Sequence, residues 1–240
     1  MNLGDPSKQS LSRVNKRDYL AAEDAWTGNV NTTEEWSRAT DDAWIEVQLE
    51  FPMRIFDESS TKIYISMNGL LSLTDPGKIS SLPPKSLPID PASCGSPCIP
   101  DNTLAVLWQD LYIPPNMPGL TVEWAYHEPT TSVPQLGHHY HFFWTLCQKG
   151  AHIGTPGPGK PCGDATRQVL MNYYEKRPGM FYLTWTDIPD DLKQPFVVGA
   201  QAYPKYLSGA YPGKYQDSNQ ACLILDTQKN TATAGDPLKC

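Results

Sequence analysis

At 240 residues the chain is long enough for one or two domains, and all-β sandwiches and barrels of this length often form a single one. Its 23 prolines are about twice ordinary usage and its 19% charged residues fall below the usual share of roughly 25%, a mixture that favours strands and rigid loops over long surface helices. The net charge of −7, without any cluster of Lys and Arg, excludes a surface that tracks nucleic-acid phosphates, and no stretch approaches the roughly 20 apolar residues of a membrane-spanning helix.

Residues 1–17 are polar and aperiodic and read as a flexible segment ahead of one domain over 18–240. They lack a basic region followed by an apolar one, so any secretion signal is expected to have been removed, with Met1 an expression start. Lys16-Arg17 reads as a solvated turn, with a dibasic processing site as its alternative, and residues 19–26 allow one or two helical turns. Asn31-Thr32-Thr33 is a glycosylation sequon, a short triplet that also arises by chance. Residues 44–49 alternate apolar with polar, the mark of a half-buried strand. Ile63 and Ile65 share one face of a strand over 62–66, Asn68-Gly69 supplies a tight turn, and Leu71 and Leu73 continue the return strand.

Residues 75–102 are rich in Pro, Ser and Gly and form a long loop, of the kind that is stapled or carries function. Strand-length segments follow at 104–112, 121–127, 138–147, 168–175, 180–186, 196–202 and 221–226, each bounded by Gly, Pro or Asp. None sustains a helical period. Nine or ten strands without interleaved helices predict an all-β fold, two antiparallel sheets packed as a jelly-roll-like sandwich with long stapled loops.

The six cysteines fall into three sequence-local pairs, and although fifteen pairings are formally possible, each local pair closes a short excursion that a sheet does not tie down. Cys94 is expected to bond Cys98, Cys147 to bond Cys162, and Cys222 to bond Cys240. The second closes a loop of about 16 residues, worth about 3 kcal/mol in the chain-entropy description. Such bonds persist in an oxidising compartment, which places the protein outside the cell. The competing reading, half of a zinc site at Cys94-Gly-Ser-Pro-Cys98, lacks a second knuckle because Cys147 and Cys162 stand too far apart.

The order of segments carries a likeness. Residues 63–73, then a Pro-rich loop, then Asn102-Thr103-Leu104-Ala105-Val106-Leu107-Trp108-Gln109-Asp110-Leu111 resemble the nidogen-type (NIDO-like) extracellular β-sandwich pattern. Later segments at 122–126, 141–144, 168–171, 180–183 and 196–200 follow in the same order, so the likeness spans about 63–226. It implies an extracellular sandwich and names no ligand. Independently of it, Trp108 is expected to fill the space where two sheets meet, and Asp110 to end a strand by accepting backbone hydrogen bonds. The alternative for Asp110 is convergence with Asp101 and Asp75 on a calcium ion, although no dense calcium loop is present.

His138-His139-Tyr140-His141 is the densest histidine group, and strand alternation puts His139 and His141 on one face, near enough to share a transition metal. For a metal, spacing identifies no third ligand, His127 and His152 being the histidines that could approach; the plain reading is a solvent-facing strand whose exposed side is imidazole. No nucleophile elbow surrounds Ser208-Gly209. Glu123, Glu128, Asp187, Asp190 and Asp191 offer carboxylates for a glycosidase without a frame that pairs them. Residues 203–215 place Tyr203, Tyr206, Tyr211 and Tyr215 on a Gly- and Pro-rich stretch, where rings suit stacking on sugar faces or fold back over the end of the sandwich.

The sequence therefore reads as a secreted binding or adhesion module for a glycan or another extracellular protein, acting through Tyr203, Tyr206, Tyr211 and Tyr215 with Trp108 and Asp110. No nucleic acid, membrane span or cofactor is expected, calcium or a transition metal being the alternatives. The rival readings are a secreted hydrolase or His-metal enzyme, and an effector-like structural protein without a small ligand. Nothing in the sequence fixes an oligomeric state.

Overall fold

A computed structural model of the chain describes residues 30–36, 40–77, 83–90, 92–94, 98–113, 119–126, 137–150, 161–187, 196–209 and 222–235. The readings made for residues 1–17, 19–26 and 127–128, and for His152, Asp190, Asp191, Tyr211, Tyr215 and Cys240, lie outside them. The described residues form two antiparallel sheets, and their only helical element is a 3-10 turn at Gly163–Ala165.

Nine strands make the larger sheet. They are β1 (Val30–Trp36), β2 (Thr40–Asp41), β7 (Leu111–Ile113), β8 (Leu120–Tyr126), β9 (His138–Gln148), β10 (Thr166–Tyr174), β11 (Met180–Asp187), β14 (Cys222–Asp226) and β15 (Thr231–Gly235), in the order β1-β8-β9-β10-β11-β14-β15 with β2-β7 attached to β9. The smaller sheet contains β3 (Trp44–Ile55), β4 (Glu58–Ser66), β5 (Leu70–Ser72), β6 (Thr103–Trp108), β12 (Val197–Ala202) and β13 (Lys205–Gly209), in the order β13-β12-β6-β5-β4-β3. This is the expected all-β sandwich.

Its core follows from period-two alternation. Along β3 the buried set is Val47, Leu49, Phe51, Met53 and Ile55, so the alternation seen at 44–49 runs on for six more residues. It faces Tyr140, Phe142, Trp144 and Leu146 of β9 and Val169, Met171 and Tyr173 of β10, all in one continuous cluster. Hydrogen bonds also join the sheets: Trp185 Nε1 donates to the Val106 carbonyl at 3.0 Å, and the hydroxyls of Tyr140 and Tyr173 accept backbone N–H groups from β3. They do so where β3 departs from its register with β4, between Gln48 and Met53, around Pro52. The facing sheet thus satisfies donors that the irregular strand leaves without a ladder partner.

The hairpin turn spans three residues, Met67–Gly69, between paired Ser66 and Leu70, one more than the two-residue turn Asn68-Gly69 suggests, and its geometry shows why glycine stands there. Gly69 has φ +72°, and a Cβ would lie 2.2 Å from the Leu107 carbonyl oxygen. Asn68 is a tie as well as a turn residue: its Nδ2 donates to Asp42 Oδ1 at 2.7 Å and its Oδ1 accepts Leu111 N–H at 2.8 Å.

Trp108 does not fill the space between the sheets. It is buried on the outward face of the smaller sheet, in a second cluster with Leu70, Ala105, Leu87, Ile89 and Ile99. The Pro-rich segment supplies the last three and so covers this face. Gln201, wholly buried on β12, pins it there: its Oε1 accepts Ile89 N–H at 2.6 Å and its Nε2 donates to the Ile89 carbonyl at 2.7 Å. The Cys94–Cys98 disulfide closes the far part of the same segment, and Cys147–Cys162 ties the end of β9 to the start of β10. Cys222 is also disulfide-bonded; its expected partner, Cys240, lies outside the described residues.

Four strands escape the sequence pattern. β1 (VNTTEEW) is polar through its middle, β15 (TATAG) alternates only alanine with threonine, β2 is two residues long, and β13 lies inside the stretch read as a Tyr-rich loop.

Candidate functional site

Three hairpin turns meet at one end of the sandwich and enclose a cleft of about 330 Å³, lined by Phe56, Asp57, Pro204, Lys205, Tyr206, Thr227, Gln228 and Asn230. Each turn has its own local cause. The β3–β4 turn is Phe56-Asp57, with Phe56 at φ +51° and its side chain buried. The β12–β13 turn carries a cis peptide at Tyr203-Pro204, and Tyr203 N–H donates to Asp101 Oδ1 at 2.8 Å. In the β14–β15 turn, Asp226 Oδ1 accepts N–H groups of Gln228 and Lys229 at 3.0 Å, an Asx arrangement that the sequence Asp226-Thr227-Gln228-Lys229-Asn230 favours.

The turns are fastened to one another. Thr227 Oγ1 accepts Phe56 N–H at 3.1 Å and donates to the Gly179 carbonyl at 3.0 Å, while Gln228 Nε2 donates to the Phe56 carbonyl at 2.6 Å. The Lys205 ammonium bonds the Asp57 carboxylate and holds its carboxyl below the ordinary value, with Arg54 adding a smaller effect. The cleft therefore offers one ring, a carboxylate, an ammonium and two amide side chains on a frame of fixed turns.

Tyr203 and Tyr206 are the large hydrophobic side chains left exposed among the described residues, each at 42%. Tyr206 lies on an edge strand, not in a loop. It pairs in register with Gln201, whose amide is committed to the Pro-rich segment, so the ring stands on a rigid base. Of the other residues read as ligand-binding, Trp108 is too deeply buried to touch a ligand, and Asp110 is elsewhere.

Asp110 joins Asp41 and Asp42, their carboxylate oxygens lying within 4.8 Å of one another. Asp101 and Asp75 are not part of this group. Asp101 accepts from Tyr203, and Asp75 Oδ1 accepts Gly77 N–H at 2.7 Å, so the three acids proposed to share a calcium are each engaged separately. Lys149 supplies countercharge to the acidic trio at 2.7 Å from Asp41 and 3.9 Å from Asp110. Burial raises the Asp110 carboxyl, Lys149 opposes this, and Asp42 and Asp41 add to the rise. Asp110 does not end its strand through its carboxylate; its backbone carbonyl accepts Lys149 N–H at 3.0 Å.

His139 and His141 lie together on the face of β9 turned away from the core, as alternation predicts, but this face is not the solvent-facing one of the plain reading. His139 is only 1% exposed, and Glu123, Thr121, Gln168 and Asn172 on the flanking strands are buried as well. His139 Nδ1 lies 2.7 Å from the Gly137 carbonyl, His141 Nδ1 2.6 Å from Asn172 Oδ1, and the two Nε2 atoms 2.8 Å from each other. Asn172 is in register with His141 across β9–β10, and Glu123 is its register partner across β8–β9. His138 points elsewhere, pairing with Glu175 at 2.9 Å.

Asn31 is on β1, in register with Trp124. No helix among the described residues is long and apolar enough to cross a membrane. No family model, curated protein sequence or solved structure matches the chain.

Proposed function

We propose that this chain is a secreted glycan-binding module whose cleft at the hairpin-turn end of the sandwich holds a saccharide against Tyr206. The observation that carries the reading is the exposed ring of Tyr206 lining a cleft whose other side chains include Asp57, Lys205, Gln228 and Asn230. A sugar presents an apolar C–H face and a rim of hydroxyls. The first stacks on an aromatic ring and the second takes hydrogen bonds from carboxylate, ammonium and amide groups. Tyr203 and Tyr206, the large hydrophobic side chains left exposed among the described residues, stand on the same β12–β13 hairpin. The extracellular setting rests on the disulfides, which endure where thiols are not kept reduced, and agrees with the resemblance to the nidogen-type pattern.

Binding is favoured over hydrolysis because Asp57 is the one carboxylate among the cleft's lining residues, whereas glycoside hydrolysis needs two carboxyl groups facing across the bond. The test is a glycan array followed by calorimetry on the best saccharide. Tyr206→Ala should weaken binding by about tenfold or more while leaving the melting temperature in place, because the ring is largely outside the core. Tyr206→Phe should retain most of the affinity. A wild-type protein that binds no saccharide, or a Tyr206→Ala variant that binds as well as the wild type, overturns the reading.

A further inference from the structure

We infer, on the reading of the cleft as a glycan site, that the saccharide it takes is uncharged and is held through two adjacent hydroxyls by the bonded pair Asp57 and Lys205. Asp57 is the one carboxylate and Lys205 the one ammonium among the described lining residues, and they are bonded to each other. Their charges cancel where they stand. The side chains of Thr227, Gln228 and Asn230 carry no charge. Lys229, between two of these residues, is likewise paired, 3.3 Å from Asp226. Arg54, the further cation that acts on Asp57, is not a lining residue. A carboxylate or sulfate entering the cleft would therefore meet no lining cation that an acid does not already hold. It would also approach against the field of a chain whose net charge is −7.

Pairing does not exhaust the two groups. An ammonium donates in several directions and a carboxylate accepts in several, so the bond between them leaves each with capacity to spare. The Asp57 side chain is 70% exposed and that of Lys205 54%, so this capacity faces water. The pair presents an acceptor and a donor side by side, about one hydrogen-bond length apart. Hydroxyls on neighbouring carbons of a sugar ring stand at a similar separation when they are gauche, and point apart when both are axial. A gauche pair donates from one oxygen to Asp57 and accepts at the other from Lys205, making two charge-assisted hydrogen bonds in parallel. Neither bond needs a charge on the ligand.

Both backbones that carry the pair are fastened. Beside Asp57, Phe56 N–H donates to Thr227 Oγ1 at 3.1 Å, and the Phe56 carbonyl accepts Arg54 Nε at 2.8 Å and Gln228 Nε2 at 2.6 Å. Lys205 is in register with Ala202 of β12. Groups held in advance lose less freedom when a ligand arrives. Asp57 and Lys205 are specificity-determining residues in this scheme: Tyr206 offers a stacking surface to any sugar face, and the ion pair selects which hydroxyls lie beside it.

The test is an array of neutral, carboxylated and sulfated saccharides probed with the full chain, followed by calorimetry of the tightest binder and its single-deoxy analogues. The binders should be neutral, with the same affinity at low and high sodium chloride. Removing either hydroxyl of one gauche pair should lower the affinity about tenfold. These readings use the wild-type chain, so a folding defect in a variant does not decide the matter. Asp57→Asn leaves Lys205 without its countercharge; it should weaken the neutral saccharide about tenfold and bring carboxylated or sulfated ones among the binders. Lys205→Met should weaken the neutral saccharide by about the same factor and admit no acidic one. A pair that only braced the turns would lower all binding alike, without a change of preference, and that result overturns the inference. So does neutral binding untouched by both substitutions. Wild-type binding that depends on Tyr206 but belongs to acidic saccharides overturns it too and leaves the cleft reading standing, whereas no binding to any saccharide overturns both.

Discussion

The hydroxyl of Tyr140, on β9, accepts the backbone N–H of Phe51, on β3 of the opposite sheet, at 3.1 Å, and the two rings stack with centroids 4.4 Å apart. The same oxygen takes the N–H of Glu50. One side chain thus serves two backbone donors at the point where β3 leaves its ladder. Tyr140→Phe keeps the ring and removes the acceptor, so it should cost about 1–3 kcal/mol through unsatisfied buried N–H groups. Urea unfolding followed by circular dichroism measures this, and an unchanged midpoint would show that the oxygen is dispensable.

The buried tyrosines also set the alkaline limit of the fold. Burial pushes the Tyr140 hydroxyl up to about 12 and raises those of Tyr173, Tyr174 and Tyr182, against about 10 in an unfolded chain. A group raised in the folded state leaves stability intact below the unfolded value. Above it the unfolded chain sheds protons that the folded one keeps, so stability is lost as pH climbs from about 10 toward about 12. Absorbance at the phenolate band should show these tyrosines ionising together with loss of the fold, and not before it.

Much of the sandwich was legible in the sequence because the strands that face the core carry apolar side chains at every second position. Alternation at 44–49, 62–66 and 138–147 marks β3, β4 and β9, and Asn68-Gly69 marks the turn between β4 and β5. Three other edge strands were not legible. β1 is polar through its middle, β15 has only the small side chain of alanine to mark its core-facing side, and β13 hides among Gly and Pro. Trp108 was misplaced for a related reason. Its flanking leucines say that it is buried, and they cannot say that the Pro-rich segment buries it from outside. At the site, Tyr203 and Tyr206 were found as exposed aromatics, whereas Asp57, Gln228 and Asn230 come from distant turns that only the fold joins. The run of turn residues Asp226–Asn230 is the sequence signal that could have found Gln228 and Asn230.

Gly69 should tolerate no side chain. Its φ of +72° disfavours an L residue, and the contact at 2.2 Å is with backbone that cannot swing aside. Gly69→Ala should therefore cost more than about 2 kcal/mol, combining strain with displacement of β6. The measurement is the thermal midpoint, with Gly77→Ala as a companion: that position also has positive φ, at +62°, but open space for a Cβ, and should lose less.

Removing the Cys147–Cys162 bond by double replacement with Ser should destabilise the chain by about 3 kcal/mol, since it releases a constraint between residues 15 apart and puts hydroxyls into a buried cluster with Ala165. Opening Cys94–Cys98, only four residues apart, should cost less. Unfolding midpoints of the two double variants give the order directly.

The irregular part of β3 bears on how the molecule keeps to itself. β3 is the last strand of the smaller sheet, a position where an unpaired ladder invites a second chain to add on and begin a fibril. Pro52 has no N–H to offer, the amides of Glu50 and Phe51 are taken by Tyr140, and that of Arg54 donates to Tyr173 at 2.8 Å. The margin that could seed intermolecular growth is disarmed from within, by phenols reaching over from the other layer.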